Sequence, residues 1–568
     1  MSADQRLNVV LCWHMHQPQY CDLISGNYEL PWTYLHATKD YIDMAAHLEA
    51  VPSARAVVNF APILLEQLSD YAGQVRGFLS ENKPLRDPLL GALANPVLPS
   101  SKEKRMALVS ACLRVNELRS INRFPSFQSL AEMAGWFRDH PTGMLYVGDQ
   151  FVTDLLVWYH LAWMGETVRR NNDQIKQLIE KGHGFTLQER RQLLKLIGEL
   201  LSSVIDRYRV LAERGQIELA MSPYAHPIIP LLLDLDSARE AMPDIEMPLL
   251  KRYPGGEERV CWHIHEGIDT FEQFFGQRPT GCWPSEGAIS EATLAILERH
   301  GFNWAASGES VFRHSIAAPE NSDLADTSHH QAFRIKDGKL ACFFRDDGLS
   351  DLIGFTYSDW HAEDAVSNLI EHLENIAQGT KGHEHPVVSI ILDGENAWEH
   401  FPENGYYFLN TLYKRLSNHP KMKMTTYSEY LESAPAKQSL NRLIGGSWVY
   451  GTFSTWIGNT DKNRGWDMLG DAKRAFDEAE TNGNLGGEQL LAARHQLSIC
   501  EGSDWFWWFG DYNPTDTVSD FEHLFRMHLS NLYNLLGREP PEYLSHTFTQ
   551  GGGEPVGGGV MRRGQYTG

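Results

Sequence analysis

The stretch Pro386-Val387-Val388-Ser389-Ile390-Ile391-Leu392-Asp393-Gly394-Glu395-Asn396-Ala397-Trp398 sets the reading of this chain. Residues 386–392 are apolar at nearly every position, the pattern of a strand buried on both faces. The run ends abruptly in an acid-Gly-acid turn. A carboxyl group at the end of such a strand sits in a low dielectric, which raises its pKa as a general acid requires. Two carboxylates separated by Gly could equally bind a divalent cation.

Working outward, seven more short runs share this character: Leu7–Cys12, Ala54–Phe60, Gln216–Met221, Thr280–Trp283, Phe302–Ala306, Leu340–Phe344 and Lys421–Thr426. Amphipathic stretches separate several of them, among them Thr186–Arg214, Ala288–His300 and Ala362–Gln378. Strand then helix, repeated, predicts a parallel α/β sheet or barrel. Reactive side chains of such barrels stand at the C-terminal ends of the strands. On that basis His14, His16, Glu218, Glu286 and Asp393 are expected at one rim.

The spacing is uneven. Residues 61–215 hold no candidate strand and read as helix-rich, with Leu145–Trp163 strongly apolar. The expected organisation is a catalytic barrel over residues 1–430 with a helical insertion at about 66–210. A mainly helical C-terminal domain is expected over 431–549, from Arg464–Ala479, Gly487–Ile499 and Asp520–Leu536. Residues 550–568 are Gly-rich and are expected to be a disordered tail. There is no internal repeat.

Composition narrows the partners. The chain of 568 residues has 50 Lys+Arg against 73 Asp+Glu, a formal net charge of −23. A nucleic-acid partner needs a basic surface, so none is expected, whereas a neutral polymer would not be repelled. The seven Cys are scattered without a CxxC, which argues against a disulfide framework or a structural zinc site. No apolar run suits a membrane span or a signal core, so a cytoplasmic location is the default expectation.

Several motifs bear on chemistry. His14-Met15-His16-Gln17-Pro18 follows a buried strand, and alternate residues of a strand share a face, so both imidazoles point the same way. They could ligate a metal, bind hydroxyl groups or be structural. His-x-His recurs at His263/His265 and His383/His385, so the pattern alone decides little. Glu218, in Gly215-Gln216-Ile217-Glu218-Leu219, is either functional or a paired structural carboxylate. Glu286, in Trp283-Pro284-Ser285-Glu286, could be a nucleophile, a metal ligand or a residue favoured by a helix dipole. Trp448, Phe453, Trp456 and Trp466 lie in a Gly/Ser/Thr-rich segment suited to a cleft, whereas Trp505-Phe506-Trp507-Trp508-Phe509 reads mostly as core. A glycosidase needs two carboxyl groups flanking the scissile bond, and Glu286 and Asp393 lie at different strand ends of one inferred sheet.

Taken together, these segments resemble glycoside hydrolase family 57, the family of α-amylases, amylopullulanases and 4-α-glucanotransferases. Its five short motifs stand in order. They are His14–Pro18, Gly215–Leu219, Trp283–Glu286, Asp393–Trp398 and, most loosely, Ser447-Trp448 to Trp466. The resemblance implies a distorted (β/α)7 barrel followed by helices and a retaining double displacement, with Glu286 as nucleophile and Asp393 as general acid/base. It implies that His14, His16, Glu218, Trp283, Trp398, Trp456 and Asp461 line the sugar site, and that the chemistry needs no metal or cofactor. The expected substrate is an α-glucan such as starch or glycogen, or a maltooligosaccharide.

Within the family, the Gln-Pro ending of the first motif looks like the amylase, amylopullulanase and glucanotransferase groups, whereas branching enzymes tend to carry Leu-Pro, and the Asp393-Gly394-Glu395-Asn396 turn looks like the amylase and amylopullulanase group. Hydrolysis of α-1,4 bonds is therefore expected, with α-1,6 activity open. A glucanotransferase or branching enzyme on the same site is one alternative. Another is a metal-dependent hydrolase like the zinc α-mannosidases of related barrels, with His14 and His16 as ligands beside Asp393 or Glu395. Eight candidate strands exceed the family's seven, so at least one is expected outside the barrel.

Overall fold

The computed structural model describes residues 6–553 except Gly382 and Asn484. Its ten strands are β1 (Leu7–Met15), β2 (Ala56–Phe60), β3 (Ile217–Met221), β4 (Gly281–Cys282), β5 (Trp304–Ser307), β6 (Phe333–Ile335), β7 (Ala341–Phe344), β8 (Val387–Asp393), β9 (Met422–Met424) and β10 (Gln438–Leu440). Strands β1, β2, β3, β4, β5 and β7 pair in that order, all parallel, and β8 pairs parallel to the other edge of β1. The ring closes between β7 and β8, where Arg345 bridges Ser389 and the Asp346 N–H donates to the Ser389 carbonyl at 2.8 Å. The result is the expected seven-stranded parallel barrel.

The supernumerary strand is the one read at 421–426. It shrinks to β9, which pairs with Leu7–Val9 of β1 and leaves Cys12–Met15 of the same strand to β2. Strands β6 and β10 extend the sheet beyond β7, with β6 antiparallel to it.

Alternation along the strands sorts their side chains between two cores. Val10 and Cys12 of β1 face the barrel interior with Val57, Ala220, Phe343, Val387 and Ile391. Leu11, Trp13 and Met15 face the surrounding layer, as do Val388, Ile390 and Leu392 of β8. Burial on both faces explains why these strands read as continuous apolar runs. The same parity directs His14 and Asp393 inward at the ends of their strands.

Residues 61–215 are helical between β2 and β3, from Pro62–Glu81 to the long helix Leu187–Glu213. The apolar stretch there forms the buried helix Asp149–Ala162. The C-terminal part contributes helices Thr460–Thr481, Gly487–Cys500, Ser503–Trp508 and Thr515–Leu535. A buried network ties it to the barrel layer: Arg259, His263 and Tyr253 all bond the Glu501 carboxylate. Burial alone would raise Glu501, but Arg259 and His263 outweigh it and bring the carboxyl down to about 2. Of the Gly-rich segment read as a disordered tail, Gly552 and Gly553 donate backbone hydrogen bonds to carbonyls of residues 511–513. Residues 554–568 lie outside the described residues.

Candidate active site

A cleft of about 620 Å³ opens over the C-terminal ends of β1 and β8, lined by His14, His16, Asp393, Glu395, Glu286, Arg345 and Trp448, among others. Trp507, Trp508 and Asp504 complete its wall from the C-terminal helices. Sequence reading brings four of its nine site residues here: His14, His16, Glu286 and Asp393.

Glu286 lies in the turn after β4 in a left-handed backbone conformation (φ 59°). That region costs an L-residue about 1 kcal/mol or more, so the surroundings must hold it. Trp448 does so. Its indole Nε1–H donates to Glu286 Oε2 at 2.9 Å, and its backbone N–H donates to the Glu286 carbonyl at 3.1 Å. Gly287 is also left-handed, and a Cβ there would stand 2.8 Å from the Trp283 ring.

Asp393 ends β8. Its carboxyl opens on the cleft, yet burial pushes it up to about 6, against the lowering effects of the Asn396 amide, His16 and Arg345. Asn396 donates to Asp393 Oδ2 at 2.8 Å. Gly394 follows because the chain passes hard against β1: a Cβ there would stand 2.1 Å from Met15 Sδ. Glu395 is fully buried. It accepts from Gln17 Nε2 at 3.1 Å and from the Tyr41 hydroxyl at 3.3 Å. Burial first, then the charges of Asp393 and Asp40, push its carboxyl well above the usual range.

Three imidazoles stack together, of which His14 and His16 line the cleft and His226 is fully buried against them. His226 stacks on His16 at 3.8 Å between ring centroids and on His14 at 5.0 Å. Its backbone is left-handed too (φ 60°). A directional chain follows from the partners. The Ser503 hydroxyl donates to His226 Nδ1 (2.9 Å), His226 Nε2–H donates to His14 Nε2 (3.1 Å), and His14 Nδ1–H donates to Asn59 Oδ1 (2.6 Å). Burial lowers His14 to about 3 and holds His226 well below the usual imidazole value, so both are neutral near pH 7. His16 Nε2 bonds Asp504 at 2.9 Å.

Arg345 is a buried cation between Asp347 and Asp351, donating to each at 2.8 and 2.9 Å, and its guanidinium lies over the Trp448 ring at 5.5 Å. It therefore buttresses the indole that holds Glu286.

The other five expected site residues lie elsewhere. Glu218 faces the barrel interior but is the second residue of β3, about 13 Å of strand before the rim where Ser222 stands. There it accepts from Trp304 Nε1 (2.7 Å), the Ser428 N–H (2.9 Å) and hydroxyl (2.6 Å), and the Thr280 hydroxyl (3.0 Å). It is a satisfied carboxylate at the far end of the barrel. Trp283 is fully buried behind Trp448, 5.2 Å between centroids. Trp398 is buried beneath the acidic turn, its indole N–H donating to the Gly394 carbonyl. Trp456 is buried with its ring against Trp507. Asp461 accepts from Thr549 and sits at the start of helix 460–481. None of the five lines the cleft.

The reading missed His226, Arg345 and Asp504, and it left Trp448 and Trp507-Trp508 as general aromatic clusters. Of the loop aromatics, Trp448 reaches the cleft, whereas Phe453, Trp456 and Trp466 are core. The metal-dependent alternative put its ligands at His14 and His16 beside Asp393 or Glu395; among the described residues, His16 instead groups with His226 and Asp504, their ligand atoms within 4.8 Å of one another.

Among the described residues, no helix is long and apolar enough to cross a membrane. A family model described as glycosyl hydrolase family 57 matches residues 10–441. No curated protein sequence is similar enough to match. The structure is similar to a branching enzyme from Thermococcus kodakaraensis (TM-score 0.56, 14% identity, covering 94% of this chain and 90% of that one). It is similar also to a branching enzyme from Pyrococcus horikoshii (0.54, 16%, 95% and 98%) and to the α-amylase AmyC from Thermotoga maritima (0.55, 15%, 95% and 96%). At these identities the likeness is one of fold.

Proposed function

The chain belongs to glycosyl hydrolase family 57, and from that premise we propose that it is a retaining α-glucan hydrolase of α-amylase type with Glu286 as nucleophile and Asp393 as general acid/base. The observation that carries this is one cleft presenting two carboxyl groups in contrasting environments. Glu286 is held by a charge-assisted bond from Trp448, which favours the ionised form. Asp393 is desolvated, with its carboxyl pushed up to about 6, which favours a transferable proton.

In the first step a Glu286 oxygen attacks the anomeric carbon while the glycosidic oxygen leaves with the Asp393 proton. In the second, the Asp393 carboxylate takes a proton from water, whose oxygen attacks the same carbon and releases Glu286. The neutral imidazole of His14 presents no charge to the sugar, and Trp507 and Trp508 offer flat faces for it.

A glucan acceptor in place of water would make the same machinery a transferase, and the fold relatives include enzymes named for each outcome. The Asp393-Gly394-Glu395-Asn396 turn, which resembles that of the amylase and amylopullulanase group, favours hydrolysis, whereas the Gln17-Pro18 ending argues only against a branching enzyme. The test is incubation of wild type and Glu286→Gln with maltoheptaose and starch, following reducing ends and product sizes. New reducing ends in wild type alone support the hydrolase. Scrambled sizes without new ends would replace it with the transferase.

A second, metal-dependent reading rests on His16, His226 and Asp504. Activity that survives Glu286→Gln but is abolished by chelators would favour it.

A further inference from the structure

His329, His330 and Asp346 form a second cluster away from the cleft, their ligand atoms within 4.8 Å of one another. None of them lines the cleft. His330 Nε2 stands 2.9 Å from Asp346 Oδ2, and His329 Nε2 stands 3.8 Å from the same oxygen. Glu309 Oε2 is also 3.8 Å from His329 Nε2. Ligands of a tetrahedral cation with bonds near 2.0–2.1 Å lie about 3.3 Å apart, so these separations bracket what such a cation needs.

The remaining valences of the cluster are already used in ways that aim these atoms inward. Asp346 Oδ1 accepts from the Leu349 N–H at 2.8 Å, leaving Oδ2 for the cluster. His330 Nδ1 bonds the Ser328 hydroxyl at 3.1 Å, the outer contact that orients a ligating imidazole. Arg313 engages Glu309 Oε1. His329 Nε2 is a buried nitrogen with no hydrogen-bond partner, which costs free energy unless something else takes its lone pair.

We propose that His329, His330 and Asp346, with Glu309 beside them, bind a divalent cation of the zinc class. Two imidazoles and a carboxylate suit that class, and the role is structural. The site lies on the seam where the barrel closes. The Asp346 N–H donates to Ser389 of β8, and the Val387 N–H at the start of β8 donates to the His330 carbonyl at 3.0 Å. A cation there clamps the 328–331 segment and the end of β7 onto β8, one residue from the Arg345 that buttresses the cleft.

The experiment is metal analysis and zinc titration of the full chain after chelator treatment and dialysis, with Zn(II) alone as probe. Wild type, His329→Gln, His330→Gln and His16→Gln are compared, with circular dichroism to certify folding. The expected result is one zinc equivalent in wild type and in His16→Gln, weakened at least about 100-fold in His329→Gln and His330→Gln. Zinc should raise the melting midpoint only where that equivalent binds. If wild type takes up no zinc, the proposal falls without any variant. It falls also if uptake survives in the His329 and His330 variants and is lost in His16→Gln, which would place the cation in the cleft. Glucan turnover enters neither outcome, so this test stands apart from the assignment of Glu286 and Asp393.

Discussion

Trp448 holds Glu286 at two points, side chain to side chain at 2.9 Å and backbone to backbone at 3.1 Å. The backbone contact supports the left-handed turn; the indole N–H fixes the carboxylate. Trp448→Phe removes only the second. A hydrogen bond to a charged group is worth about 1.5–3 kcal/mol, so kcat on maltoheptaose should fall about 10- to 100-fold with little change in KM or melting midpoint. A rise in KM alone would make Trp448 a sugar platform rather than a positioning residue.

The carboxyl of Asp393, pushed up to about 6, sets an alkaline limit. kcat/KM should fall about tenfold per pH unit above pH 6 as the proton is lost. Stability has a matching sign. A carboxyl raised in the folded state binds its proton more tightly there than in the unfolded chain. It therefore favours folding below the unfolded value of about 4 and loses that advantage as pH rises to about 6. Asp393→Asn should thus raise stability at pH 7.5, by on the order of 1–2 kcal/mol, and leave it little changed at pH 4. Urea midpoints at the two pH values measure this, and equal shifts at both would contradict the desolvated carboxyl.

The imidazoles predict the opposite slope. His14 is lowered to about 3 and His226 well below its usual value, both chiefly by burial. Below pH 6.5 the unfolded chain takes up protons that these folded groups refuse, so each costs up to about 1.4 kcal/mol per pH unit on acidification. The urea midpoint of wild type should fall between pH 6.5 and 4.5, and less steeply in His14→Gln. Parallel profiles would mean that His14 stays protonatable in the fold.

The barrel was legible because its strands are buried on both faces, which leaves unbroken apolar runs such as 387–392. The run at 421–426 misled because Met422-Lys423-Met424 pairs with only the first three residues of β1. The rim of the cleft was half legible. His14 and Asp393 end inward-facing alternations, so parity and strand ends locate them. Glu218 has the right parity at the wrong end of its strand, a difference set by where β3 starts. His226 lies past the end of β3 on a left-handed residue, beyond any strand pattern. Asp504 meets His16 across 488 residues, a contact made by tertiary packing alone. Nor could composition separate Trp507 and Trp508, which reach the cleft, from buried Trp505 and Phe506.

Gly394 offers the sharpest test of how closely β8 is fitted over β1. A Cβ there would overlap Met15, 2.1 Å from its sulfur and 2.7 Å from its methyl, and because Met15 is fully buried its side chain would have to repack within the core. The Gly394 N–H also donates to the His14 carbonyl at 2.7 Å, so any displacement moves the ends of β1 and β8 together. Gly394→Ala should cost about 1–3 kcal/mol by overpacking. Because Asp393 is the preceding residue, a shift approaching 1 Å should lower kcat about 100-fold. Met15→Ala supplies the missing space. If the double variant recovers activity that Gly394→Ala lost, while Met15→Ala alone gains none, the loss belongs to this one contact. If the double variant stays inactive, the glycine is needed for the turn itself rather than for the approach of the two strands.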